Sequence, residues 1–254
     1  MSDPLRHVPI FGNESYYLHV AAEALVRPEW LAHWKPGREL QGRHAGATAF
    51  VLCPGPSLAA YPPEAFAGRL TIAVNSAGFY AAPSYWCMIE TRYARFVARE
   101  LRAGRLPAYD ALFDGDYVMS LRAAITWFNE GASARTTFYM RHEEGGAIPR
   151  GRRGRPVQSA TLNAIATARL MGCARCVVIG MDLSKPGGVP YVPGVPYSAA
   201  GAARGYEEQI EALRTFKLEG MEMLNASPHA ERLQSNMAPI SYDLALRMLH
   251  EAAL

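Results

Sequence analysis

Ala47 to Cys53 reads ATAFVLC, an almost unbroken apolar run that stops at Pro54-Gly55-Pro56-Ser57. A strand buried on both faces has this pattern, because a parallel sheet covered by helices leaves neither side to water. The pattern recurs along the chain. Leu70 to Val74 ends at Asn75, Tyr85 to Ile89 ends at Glu90, and Cys176 to Gly180, the strongest of the set, ends at Met181-Asp182. Met221 to Leu224 is a shorter run that ends at Asn225, and Asp116 to Ser120 and Thr136 to Met140 are further strand candidates with no partner specified by sequence. Between these runs the spacing predicts helices over 92–106, from Ser159 to Met171 with Gly172 as stop, over Tyr206 to Glu219, and over Ser241 to Ala253. Strands alternating with helices predict an α/β fold: a mostly parallel sheet with helices on both faces.

Residues 1–45 read as an N-terminal helical extension, with an amphipathic helix over Tyr16 to Val26 and Trp30 and Trp34 pinning it to the body. Residues 46–254 then form the domain that holds the sheet. The chain has no apolar signal core at its start and no run near the ~20 apolar residues that span a bilayer, so the expected compartment is the cytoplasm. Homo-oligomerisation is left open. Of the 26 basic residues only Lys35, Lys185 and Lys217 are lysines, and the net charge of +3 excludes a general polyanion-coating protein.

In open parallel sheets, ligands bind beyond the carboxyl ends of the strands, so the polar residues that end the runs are the candidates. Gly55, Pro56 and Ser57 offer a tight turn that a phosphate or ribose could approach, or a plain strand-to-helix turn. They form neither a dinucleotide fingerprint nor a Walker loop. Arg150 to Arg155 is a basic loop ahead of Gln158-Ser159-Ala160-Thr161, where a helix begins. Arginines, hydroxyls and unpaired N–H groups at that point suit an anion, with a simple serine cap as the alternative. Asp182 ends an otherwise apolar strand, serving a turn or facing a cleft. The Gly/Pro/Tyr-rich segment from Ser184 to Gly205 is long enough for a lid or binding loop.

The seven histidines are scattered, with His142 and His229 the two expected near the strand ends, and none makes a metal pair on a helical face. No metal site is expected. G-x-S-x-G and H-E-x-x-H are absent, which counts against familiar hydrolases and metalloproteases. Cys173 and Cys176 have C-x-x-C spacing, yet Cys176 opens an apolar strand, and with Cys53 and Cys87 they read as buried structural thiols.

Taken in order, Gly42 to Leu58, Ala73-Val-Asn75, Tyr85 to Glu90, Ser159 to Asp182 and Met223 to Pro228 resemble glycosyltransferase family 42, the bacterial sialyltransferase-like proteins, over roughly 42–250. They are similar also to related motility-associated and 6-hydroxymethylpterin pyrophosphokinase-like Rossmann proteins. Pro54 interrupts the family's G-x-G-P-S-L turn, and Glu90 stands where an aspartate is usual. The resemblance implies a Rossmann-like, nucleotide-binding, glycosyltransferase-like domain over 46–254, and transfer of a sugar from a nucleotide-activated donor, with no cofactor and no obligatory metal. It assigns Gly55, Pro56, Ser57 and Asn75 to the donor nucleotide, Ser159 and Thr161 to its phosphate, and Asn225 and Ser227 to base or ribose. Arg155 and Gln158 join the phosphate set from the basic loop, and Tyr191 and Tyr197 correspond to tyrosines that steady the leaving phosphate.

The family's base is a histidine after the G-[IV]-D strand, and this chain has none between Leu183 and Pro228. Asp182, Glu90 or His142 could replace it. The function expected is a metal-independent glycosyltransferase acting on a hydroxyl of a glycan, a protein or DNA. The alternatives are a Mg²⁺-dependent pterin-type pyrophosphokinase and a non-catalytic nucleotide-binding protein.

Overall fold

The computed structural model describes residues 34–35, 37–104, 116–130, 137–140, 159–183, 191–195, 207–216, 218–228 and 235–252. The strands are β1 (Trp34–Lys35), β2 (Thr48–Leu52), β3 (Thr71–Val74), β4 (Tyr85–Met88), β5 (Asp116–Met119), β6 (Thr137–Met140), β7 (Arg175–Ile179), β8 (Glu222–Asn225) and β9 (Ala238–Pro239). They form one sheet of nine strands in the order β1-β6-β5-β4-β3-β2-β7-β8-β9. Every pairing among them is parallel. The α/β, mostly parallel sheet expected from the apolar runs, and the Rossmann-like fold implied by the resemblance, are the fold observed.

Two apolar cores lie on opposite faces because side chains alternate along a strand. Ala49 and Val51 of β2, with Cys53 just after it, face a core completed by Ile72, Val178, Leu162, Ile165 and Phe216. Phe50 and Leu52 face the other, with Trp86, Tyr117, Val97, Trp127 and Leu249. The helices that supply these residues are α1 (Thr91–Arg102), α2 (Leu121–Asn129), α3 (Ala160–Leu170), α4 (Glu207–Thr215) and α5 (Tyr242–Glu251). α3 buries Ala164 and Ala168, four apart, so its backbone comes close to the central strands. α1 buries Tyr93, Ala94, Val97, Ala98 and Leu101, a stripe of helical period. At its far end Arg99 and Arg95 hold Glu130, and the Arg99 guanidinium keeps that carboxyl below its ordinary range.

The structure adds elements that the apolar runs did not single out: β1, β9 and the nine-residue α2. Residues 34–35 and 37–45, read from sequence as part of the 1–45 extension, are joined to the sheet body. Trp34 and Lys35 pair with Phe138 and Tyr139 of β6. The backbone N–H groups of Gly42, His44 and Gly46 donate to the carbonyls of Leu170, Met171 and Gly172, tying the segment to the end of α3. The helix expected over 16–26, the Arg150–Arg155 loop and most of 184–205 lie outside the described residues. All four cysteines are buried and free. Burial pushes the Cys53 thiol up to about 12 and the Cys173 thiol up to about 11, as expected of inert structural thiols. Among the described residues no helix is long and apolar enough to cross a membrane.

Candidate functional site

From β2 the chain winds outward through β3, β4, β5 and β6, then returns to place β7 on the other side of β2 and continues to β8 and β9. The β2–β7 pair is therefore the switch point of the sheet, the place beyond which open parallel sheets bind ligands.

The loops that leave β2 and β7 are held close. The N–H groups of Cys53 and Gly55 donate to the carbonyls of Ile179 and Gly180 at 2.8 and 2.9 Å, carrying the ladder past the strand ends. A Cβ on Gly55 would stand 2.3 Å from the Gly180 carbonyl oxygen and 2.5 Å from Asp182 Oδ2. Gly180 has φ +76°, and its Cβ would meet the Cys53 carbonyl oxygen at 2.2 Å. Asp182 fastens the turn: the Ser57 N–H donates to Oδ2 at 2.8 Å and the Ser57 hydroxyl to Oδ1 at 2.5 Å. Both groups that Ser57 could offer a donor phosphate are thus given to Asp182, whose own two oxygens each carry a hydrogen bond.

On the β8 side, Ser227 Oγ accepts from the Met181 N–H at 2.8 Å, and the Ser227 N–H donates to Asn225 Oδ1 at 3.0 Å. That bond fixes which way the Asn225 amide faces. Its Nδ2 is buried without a partner. On the β3 side Asn75 has φ +51°, uncommon for a residue with a side chain. Its Oδ1 and the Ser76 hydroxyl are likewise buried and unpartnered. Buried polar atoms are normally paired, so atoms of this kind gathered at the carboxyl ends suggest places where a ligand completes the bonding.

Ser159 caps α3, its Oγ accepting from the Leu162 N–H at 3.3 Å. Thr161 Oγ1 lies 3.5 Å from Cys53 Sγ, so the first turn of α3 is adjacent to the end of β2. Beyond β4, Glu90 Oε2 pairs with Arg92 Nε at 2.6 Å. The Arg92 guanidinium lies over the Tyr93 ring, 5.1 Å from its centroid. The Tyr93 and Tyr191 hydroxyls are 2.7 Å apart and buried. Val192 N–H donates to the Pro54 carbonyl at 2.8 Å, which fixes the 191–195 segment against the β2 turn.

The structure thus gathers Gly55, Pro56, Ser57, Asn75, Asp182, Asn225, Ser227, Ser159 and Thr161 around the ends of β3, β2, β7 and β8 and the start of α3. Glu90 and Tyr191 join through the β4 end. Arg155, Gln158, Tyr197, His142 and His229 lie outside the described residues. Sequence reasoning passed over Arg92, Tyr93 and Ser76. Their available signal was position, immediately after strand ends, where a helix or turn begins at the edge that carries ligands.

No family model matches the chain, and no curated protein does. Among solved structures it is similar to the sialyltransferase CstII from Campylobacter jejuni in complex with a substrate analogue, cytidine-5'-monophosphate. The identity is 11% and the TM-score 0.46, over 77% of this chain and 86% of that one.

Proposed function

We propose that this chain is a nucleotide-sugar-dependent glycosyltransferase whose donor lies across the switch point. The observation that carries the reading is the pair of unpartnered buried groups, Asn225 Nδ2 and Asn75 Oδ1, on opposite sides of β2 and β7. β3 and β8 are three interstrand steps apart, about 14 Å, a span suited to a nucleotide lying over the Gly55 turn. One unmet group is a donor and the other an acceptor. A base edge and a ribose hydroxyl supply both partners.

The motif resemblance adds the sugar. On this reading Asn225 and Ser227 hold base or ribose, the turn at Gly55 and Pro56 borders the ligand, and the α3 N-terminus with Ser159 and Thr161 attracts the phosphate. Tyr191 donates to the leaving phosphate oxygen, stabilising charge that develops as the glycosidic bond breaks. Arg155, Gln158 and Tyr197 complete the phosphate set in the same scheme. An acceptor hydroxyl needs a base. Asp182 is bound up with Ser57, so Glu90 and His142 are the better candidates.

A thermal-shift screen tests this. CMP, UDP or GDP sugars are expected to raise the melting temperature without added Mg²⁺. A response confined to ATP with Mg²⁺ would move the assignment to a pyrophosphokinase. Stabilisation by nucleotide with no sugar transfer to any glycan, protein or DNA acceptor would leave a non-catalytic binder. No response to any nucleotide would sink the reading.

A further inference from the structure

The chain leaves β3 through a backbone conformation that something must hold. Asn75 has φ +51°, in the left-handed region, and begins a 3₁₀ turn over Asn75–Phe79. Its carbonyl oxygen accepts from the Trp86 indole Nε1–H at 2.5 Å. Trp86 belongs to β4, and its partner in the parallel register is Ala73, two residues before Asn75. The same ring lies against the rest of the turn. A Cβ on Gly78 would stand 2.2 Å from the indole Cε2 and 2.5 Å from Cζ2. Gly78 is not among the glycines with positive φ, so its missing side chain serves the indole rather than the backbone. Phe79 meets the ring edge to face, with centroids 5.2 Å apart.

Trp86, itself wholly buried, therefore clamps the turn at Asn75 through its N–H and at Gly78 and Phe79 through its ring. A residue with a side chain occupies the left-handed region at a cost, smallest for asparagine, and leaving that region turns the side chain in a different direction. Direction matters at Asn75, because its Oδ1 is buried without a partner although the residue as a whole is only half-buried. An acceptor already fixed in place binds a ligand without being ordered at that moment.

We infer that Trp86 is a positioning residue: its bond to the Asn75 carbonyl keeps that backbone left-handed and so presents Asn75 Oδ1 as an acceptor to an O–H or N–H of the bound nucleotide. This rests on the nucleotide reading above and adds to it a residue that acts through another.

The test is titration calorimetry with CMP, UDP and GDP, continued with whichever binds wild type most tightly. Asn75→Gly leaves the left-handed backbone accessible and removes the acceptor; it is expected to weaken binding about threefold to tenfold, as for a neutral hydrogen bond. Trp86→Phe keeps an aromatic ring and removes the N–H, and it is expected to weaken binding by up to the same factor. In the Asn75→Gly background it should weaken binding no further, because Trp86 acts only through the Asn75 side chain. A packing role alone would weaken binding equally in both backgrounds or in neither, and either result overturns the inference.

Wild-type protein supplies a second measurement if Trp86→Phe melts too early to titrate. A bond that favours the ligand by some factor is favoured by the ligand to the same extent. The Trp127 indole N–H is also buried but has no acceptor, which makes it the reference for opening of the core. Saturating nucleotide should slow deuterium exchange at the Trp86 indole about threefold to tenfold more than at Trp127; equal slowing overturns the inference. If wild type binds nucleotide and Asn75→Gly binds it as tightly, the inference falls and the nucleotide site stands on the Asn225 side. If wild type binds no nucleotide, both fall together.

Discussion

Gly55 and Gly180 show how single residues set the site. Each lies where a methyl group would strike the carbonyl oxygen of the opposite loop, so the two loops approach as closely as they do only because both side chains are missing. Gly180 carries a second demand, its φ of +76°. Gly68 separates the two effects, because it has φ +66° with nothing within 4 Å of its Cβ position. Gly68→Ala should cost about 1–2 kcal/mol, the penalty for a left-handed alanine. Gly180→Ala should cost that plus the clash, at least ~3 kcal/mol in total, since backbone rather than a flexible side chain is in the way. Urea midpoints at unchanged slope would check this, and equal losses in the two variants would show that the loops give way freely. Gly55 was legible in the sequence because it stands in a turn after a strand. The conflict around Gly180 was not, since it arises from a residue 127 positions earlier, Cys53. Asp182 was recognised as costly to bury, but the choice between turn and cleft needed the Ser57 contacts, again distant in sequence.

At the level of elements, legibility followed length and burial. β2, β3, β4 and β7 are buried along nearly their whole length, so each is a run of apolar residues. β1 and β9 have two residues each and leave no periodic signal; they exist because β6 and β8 offer free edges. α2 follows β5 with one residue between, and its apolar side chains merge with those of the strand. α3 was the most legible helix because it has a serine ahead of it and a glycine after it. Ser159 is 4% exposed and its hydroxyl is spent on the Leu162 N–H, so a direct phosphate contact would use the remaining lone pair or the hydroxyl hydrogen. Ser159→Ala should therefore destabilise the fold by about 1 kcal/mol, and Ser159→Thr should recover most of the loss. A chemical-denaturation series reads this directly. An alanine variant as stable as wild type would mean that the cap contributes nothing and that the serine is held there for a ligand.

For the whole molecule, the consequence of the strand order is that the site belongs to two stretches of chain. The β2-to-β6 stretch supplies the Gly55 turn and Asn75; the stretch from β7 to β9 supplies Gly180, Asp182, Asn225 and Ser227. Parallel order and helices on both faces followed from the apolar runs, but no run states which strand lies beside β2 on its far side. That neighbour, β7, is fixed by register from Thr48↔Arg175 to Leu52↔Ile179 and by packing of α3 over the central strands. A ligand across the switch point touches both stretches at once, and hydrogen exchange separates this from a one-sided site. With saturating CMP, UDP or GDP, whichever stabilises the protein most, slowed exchange is expected together in the turns after β2 and β3 and in the ends of β7 and β8. Loops open more readily than core strands as a rule, so a bound ligand is expected to change exchange in these turns more than in the core strands. Protection confined to 181–183 and 191–195 would place the ligand on the β7 side alone, leaving Asn75 Oδ1 and Ser76 Oγ without the partner that the proposed donor supplies.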